Sequence, residues 1–371
     1  MRIDLAGGFL NTKIQLSNSI ELPLSTSLSS VPETFVFFER FLFMRFLKEL
    51  VTVLIFAACS EGAFAADLYD PLIIDSTQRC VSIDLMIEDS ERDRELPLRV
   101  YLPHSSQPAP VILFSHGLGG SSKNNPYLGN HWAARGYIAV FMQHPGSDES
   151  VWRDVLPAQR MAALKEAASA RNATLRYKDV STVIDQLELF NADATHPLSD
   201  RMNLGRIGMS GHSFGAVTTQ AVSGQKRAFG LIDYTDSRID AALAMSPSVP
   251  RGGSANRVFA SVEIPWLLMT GSQDSSKIGG ASVESRLAVF PALPDGDKYE
   301  LVLDGAEHSA FTDAWTRRNE KARNKNHHRV IQAISTAFWD AYLMDDKAAK
   351  EWLVGAGTAS VLEAGDRWQW K

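Results

Sequence analysis

A series of stretches in this chain run continuously apolar and then stop in glycine or polar residues: APVILFSHGLGG, YIAVFMQHPG, RIGMSG, IDAALAMSPS, IPWLLMTGSQD and YELVLDGAEHSAF. A strand with one wet face alternates apolar and polar residues. A strand covered on both faces reads as an unbroken apolar run, which is the signature of a parallel sheet held between helices. Helical patterns fall between the runs. YLGNHWAARG carries a glycine stop, and YKDVSTVIDQLELFNA repeats Val180, Val183, Ile184, Leu187 and Phe190 at helical spacing. GAVTTQAVSG opens a further helix, and NHHRVIQAISTAFWDAYL closes the pattern as an amphipathic one. Ahead of them, CVSIDLMIED and ELPLRVYLP alternate like the strands of an antiparallel hairpin. The pattern predicts an α/β domain from residue 66 to 371, with a mostly parallel central sheet and helices on both faces. One excursion, Gly146 to Arg176, is longer than a strand-to-helix loop requires, and its middle, Ala158 to Ala170, reads as helical. It is either a lid over a site or a surface helix.

Ligands of such sheets bind at the carboxyl ends of the strands, and that is where the chemically capable residues of this chain fall. GHSFG puts Ser213 between two glycines, directly after the run RIGMS and before a helix. A Gly-x-Ser-x-Gly match alone is weak and can be a glycine-lined turn with an idle serine. On a strand-to-helix turn it reads as a nucleophile elbow. A serine nucleophile needs a base, and His308, just past the last apolar run, is the candidate. The base needs an acid to hold its tautomer and charge, and Asp274, at the end of IPWLLMTGSQD, is the candidate, with Asp304, Asp295 and Glu307 as fallbacks. Ser, then Asp, then His is the chain order of an α/β-hydrolase. The oxyanion of acyl transfer needs two fixed donors. The backbone N–H of Phe214 is expected to supply one, and the N–H of Leu118, in the glycine-rich loop SHGLGG, the other. His116 is expected to order that loop, and His212 to be a neighbour of Ser213 in sequence only. His144 and His131 are expected to be core or loop hydrogen-bonders, and His327 and His328 to lie on a solvated helix face. Trp152, Trp132 and Phe214 offer an apolar wall for an acyl or aromatic group, although tryptophans commonly serve packing.

With these residues in view, VILFSHGLGG, ARGYIAVFMQHPGSD, RIGMSGHSFGAVTTQ, MTGSQD and GAEHSAF resemble the α/β-hydrolase branch of the platelet-activating-factor acetylhydrolases and of bacterial proteins labelled predicted dienelactone hydrolases. Secreted cutinase-like polyester hydrolases are more distant. The resemblance runs from about Ala66 to the last helix and is densest between Pro110 and Phe311. It implies a serine esterase with Ser213, Asp274 and His308 as its triad and Leu118 with Phe214 at the oxyanion hole. Two departures matter. Dienelactone hydrolases proper use a cysteine, so their substrate does not transfer to a serine. The elbow ends in Gly215-Ala216, where many relatives carry two glycines.

Composition narrows the partners. A net charge of −6 and no long basic run argue against nucleic acid. No metal-binding or dinucleotide motif is present, so no cofactor is expected; the expected partner is a small-molecule or lipid-derived ester, met by a monomer. MRFLKELVTVLIFAACSEGAFAADLYDP has the grammar of a secretory signal: basic Arg45 and Lys48, an apolar run too short to span a membrane stably, then Ala63-Phe64-Ala65. This predicts a signal peptide over 44–65, cut between Ala65 and Ala66, with 1–43 an extension from a start assigned too early, ahead of Met44. The protein is then secreted or periplasmic. The rival readings are an N-terminal anchor or buried core helix, or lipid anchoring at Cys59. Cys80 would remain as the sole cysteine of the mature chain and is expected to be inert. On function, a short-chain or small aromatic esterase stands beside a lipase or polyester hydrolase, a peptidase or amidase using the same triad, and a non-catalytic binding module.

Overall fold

Residues 69–74, 80–227, 232–252, 254–313 and 324–371 are described in a computed structural model. The described residues all belong to the compact unit Ala63–Lys371. The expected extension 1–43, the signal peptide 44–65, Cys59 and the Ala65–Ala66 junction lie outside the described residues.

The strands are β1 (Val81–Asp89), β2 (Arg94–Leu102), β3 (Ala109–Ser115), β4 (Ile138–Met142), β5 (Met202–His212), β6 (Ile239–Met245), β7 (Trp266–Gln273), β8 (Lys298–Glu307) and β9 (Arg367–Trp370). They form one nine-stranded sheet in the order β1-β2-β4-β3-β5-β6-β7-β8-β9. Strands β3 to β8 pair in parallel, while β1, β2 and β9 add antiparallel pairs towards the edges. The chain is therefore an α/β protein with a mostly parallel sheet, and the β1–β2 hairpin is present.

The unbroken apolar runs are explained by cover on both faces. Successive strand residues point to opposite sides, so in β3 Ile112 and Phe114 enter a core beneath the helices Pro126–Arg135 and Lys325–Leu343. Val111 and Leu113 enter another core, beneath the helix Ala170–Ala192. Elements near the chain end depart from expectation. The helix Lys325–Leu343 does not close the fold, because the helix Lys347–Val354 and β9 follow it. In the 146–176 excursion, short helices cover Ser150–Arg153 and Arg160–Ala167, and the long helix starts at Ala170, before the apolar repeat that announces it. Among the described residues no helix is long and apolar enough to cross a membrane.

Candidate active site

Strand β5 ends at His212 and the helix Phe214–Val222 begins two residues later, so Ser213 alone makes the turn. It does so at φ 58° and ψ −113°, a conformation that costs a side-chain-bearing residue free energy and survives where surroundings enforce it. Here the enforcement is visible: the Ser213 N–H donates to the Met245 carbonyl at 3.0 Å, and the Ser213 carbonyl accepts from the Val217 N–H at 3.1 Å. The flanking glycines serve close approach. A Cβ on Gly211 would lie 2.5 Å from the Gly215 carbonyl oxygen, and one on Gly215 would lie 1.8 Å from the Ser115 carbonyl oxygen at the end of β3.

Asp274 and His308 follow immediately after β7 and β8. These strands shift register between Gly271 and Gln273, which sets Gln273 opposite Glu307, so the next residues leave the sheet side by side. Gly271 permits the shift, since a Cβ there would meet the Ala306 carbonyl oxygen at 2.0 Å. The result is a relay: His308 Nδ1 lies 2.7 Å from Asp274 Oδ1, and His308 Nε2 lies 2.8 Å from Ser213 Oγ. Burial alone would raise the Asp274 carboxyl, but the hydrogen bond from His308, the charge of Arg286 and the hydroxyl of Ser246 outweigh it and carry the group to about 2. Asp274 is thus an acceptor only. His308 Nδ1 must carry the proton that it shares with Asp274, which leaves Nε2 free to accept the Ser213 hydroxyl proton. The His308 side chain is 27% exposed and Asp274 fully buried, so the reactive edge faces outward and its anchor does not.

Support around the acid comes from residues that carry no motif. Ser246 Oγ and Thr270 Oγ1 donate to Asp274 Oδ2 at 2.6 and 3.0 Å. Arg286, 2% exposed, reaches Asp274 Oδ1 at 3.0 Å and donates to the Asp274 carbonyl at 2.7 Å. Its Nη1 donates to the Ser246 and Pro247 carbonyls. Arg286 Nη2 also stands 3.2 Å from His308 Nδ1; as that nitrogen already donates to Asp274, the guanidinium meets it as a neighbouring charge.

The glycine-rich loop lies against the serine: a Cβ on Gly117 would sit 3.5 Å from Ser213 Cβ. Neither the Leu118 nor the Phe214 backbone N–H has a hydrogen-bond partner among the described residues, while the Gly119 N–H is committed to the Ser147 carbonyl at 2.9 Å. His116 orders this loop as expected. Its Nδ1 donates to the Gly117 carbonyl at 2.6 Å and its Nε2 accepts from the His144 N–H at 3.1 Å. Burial and the charge of Arg176 push its pKa well down, which keeps the ring neutral. Trp152 and Leu164, from the 146–176 excursion, close over Gly119: Trp152 Nε1 donates to the Gly119 carbonyl at 2.7 Å, and a Cβ on Gly119 would meet Leu164 Cδ2 at 2.8 Å.

Other sequence expectations need correction. His212 is more than a sequence neighbour, because its ring turns back under His308, with centroids 4.7 Å apart and Nε2 3.1 Å from the His308 carbonyl oxygen. His327 is buried and bonds the Asp304 carbonyl, and His328 stacks on Tyr127, so neither lies on a plain solvated face. Trp132 belongs to the core, with Nε1 on Ser335, and walls no site. Asp304 bonds Ser272 and the Asp366 side, and Asp295 lies exposed before β8; His308 takes Asp274. Cys80 is half-buried beside the Asn130 carbonyl, and burial raises its thiol, in keeping with an inert cysteine. Among the described residues no cluster of His, Cys, Asp and Glu is arranged to hold a metal. Compared with protein-family models and with curated proteins, the chain matches none, so its own residues carry the functional inference.

Proposed function

We propose that the protein is a serine carboxylic-ester hydrolase of the α/β-hydrolase type. One observation carries the proposal: Ser213, His308 and Asp274 stand in hydrogen-bonded sequence just past the ends of β5, β8 and β7, with the serine on a positive-φ elbow at the head of a helix. His308 Nε2 takes the Ser213 proton while Oγ attacks the ester carbonyl carbon. Asp274 holds the imidazolium that results. The Leu118 and Phe214 N–H groups, with the positive end of the helix Phe214–Val222, receive the oxyanion. As the tetrahedral intermediate collapses, the alcohol leaves with the proton from Nε2. Water then gives a proton to His308 and attacks the acyl carbon. Collapse returns the proton to Ser213 Oγ and releases the acid. These groups supply every step.

The loop that covers Gly119 supports one substrate class over another. Trp152 and Leu164 occupy the space beside the oxyanion loop, which favours a short acyl or small aromatic group over a long chain. The signal-like stretch over 44–65 supports a location outside the cytoplasm. The test is hydrolysis of p-nitrophenyl esters, from acetate to long acyl chains, by wild type and Ser213→Ala. Turnover by wild type that drops to background in the alanine variant supports the assignment; equal turnover by both overturns it. A wild type inert on every ester and unreactive towards a fluorophosphonate turns the interpretation to a binding module.

A further inference from the structure

We propose that Arg176 is a positioning residue that locks the two halves of the oxyanion hole together; this rests on the esterase function proposed above. Its side chain is fully buried, and its contacts reach both halves. Towards the Leu118 side, Nη2 donates to the His116 carbonyl, one residue before the loop glycine Gly117, and to Ser115 Oγ at 3.1 Å. Nη1 donates to Ser147 Oγ at 3.0 Å, and the carbonyl of that same Ser147 holds the Gly119 N–H. Towards the Phe214 side, Nε donates to Thr218 Oγ1 at 3.2 Å, on the first turns of the helix that Phe214 opens. The guanidinium also lies 4.6 Å over the Phe214 ring.

The guanidinium is bonded only to neutral oxygens, and a buried cation needs more than that to be tolerated. The compensation is a polarised chain. Ser115 Oγ lies 2.9 Å from His144 Nε2, and His144 Nδ1 lies 3.0 Å from Asp179 Oδ2. Asp179 also takes Arg92 at 2.7 Å and Arg94 at 2.8 Å. Burial and the charge of Arg176 push His144 down to about 4, so its ring is neutral. Nδ1–H therefore donates to the carboxylate and Nε2 accepts the Ser115 hydroxyl, whose oxygen is left to face the arginine. Every group in the chain is oriented, and the orientation ends on the carbonyl that starts the oxyanion loop.

An oxyanion hole is useful because its donors are in place before charge develops, and a displacement of about 1 Å is enough to cost on the order of 10²-fold in rate. Removing the clamp should therefore weaken transition-state binding and leave ground-state binding alone. The test compares wild type with Arg176→Met and Arg176→Lys for kcat and KM on p-nitrophenyl acetate. Alongside, it compares inhibition by a trifluoromethyl ketone, which forms the tetrahedral oxyanion, with inhibition by acetate, which does not. The expected result for Arg176→Met is a kcat lowered about 10²-fold, KM within about twofold, ketone affinity lowered in step with kcat, and acetate unchanged. Lysine keeps the charge but not the fan of contacts and should not restore kcat. Wild-type kcat in a folded Arg176→Met protein, or a loss confined to KM, overturns the proposal. If Arg176→Met does not fold, the double variant Ser147→Ala with Thr218→Val severs one contact on each side and decides the matter: a matched fall in kcat and ketone affinity supports the clamp, unchanged kcat refutes it. Ser213→Ala in the same assay separates the two claims. If it is dead while the Arg176 variants are fully active, only the clamp fails; if it is active, the esterase assignment fails.

Discussion

Replacing Gly215 with alanine should damage both stability and activity, and the size of the damage follows from one distance. The added Cβ would lie 1.8 Å from the Ser115 carbonyl oxygen, a backbone atom with no rotamer to turn away, and 2.6 Å from the carbonyl carbon. To reach even the 3.0 Å that real Cβ contacts do not undercut, the helix Phe214–Val222 and the end of β3 must separate by roughly 1.2 Å. Overpacking of this kind costs about 1–3 kcal/mol, at the upper end here because only backbone can yield. The same separation moves the Phe214 N–H away from Leu118, so kcat should fall by about 10²-fold with little change in KM. Denaturant unfolding gives the first quantity and p-nitrophenyl acetate turnover the second. Gly205→Ala is the control, since a Cβ there meets nothing closer than Asn203 Oδ1 at 3.5 Å and should stay within about 0.5 kcal/mol of wild type. A Gly215→Ala protein with wild-type stability and kcat would refute the packing account of the motif.

Acid should unfold the protein in stages. His144 stays neutral in the fold down to about 4 against an ordinary 6.5, so the unfolded chain takes up a proton first and stability falls as pH drops through that window, by about 3 kcal/mol. Asp179 and Asp274, both held near 2, lose their contributions lower down, as pH falls from about 4 towards 2. Denaturation midpoints at pH 7 and pH 4 should converge in His144→Gln, and an unchanged pH slope in that variant would remove His144 from the explanation. Trp152→Ala should open the space over Gly119 and raise the octanoate-to-acetate ratio of kcat/KM about tenfold, while Trp152→Phe leaves the ratio near wild type; a parallel fall on both esters would show that Trp152 does not bound the acyl site.

The parallel sheet was legible because burial on both faces leaves an unambiguous mark on strands such as VILF and AALAM. The sequence placed Ser213, Asp274 and His308 as candidates because each follows such a strand. Strand β9, RWQW, was not legible: it is four residues long, pairs only with β8 and carries no apolar run. The arginines that brace the site were missed for a different reason. Arginine on a helix ordinarily signals solvent, and nothing in the neighbourhood of Arg286 says otherwise. Arg176 did leave a trace, since it stands four, seven and eleven residues before Val180, Val183 and Leu187, in line with the buried stripe of its helix. His212 and His327 were misplaced because adjacency in sequence and a polar helix start say nothing about which way a ring folds back.

Among the described residues the sequence of contacts Ser–His–Asp occurs twice, once as Ser213, His308 and Asp274 and once as Ser115, His144 and Asp179. A search by interatomic distance would return both, with nearly equal spacing. Only one can meet a reagent from outside, because Ser115 and His144 are sealed from solvent and the Ser115 hydroxyl lies beneath a guanidinium. Of these two serines, a hydroxyl-directed label should therefore mark Ser213 and not Ser115. In the proposed enzyme, reactivity is decided less by which three side chains touch than by which of these two threesomes the fold leaves uncovered.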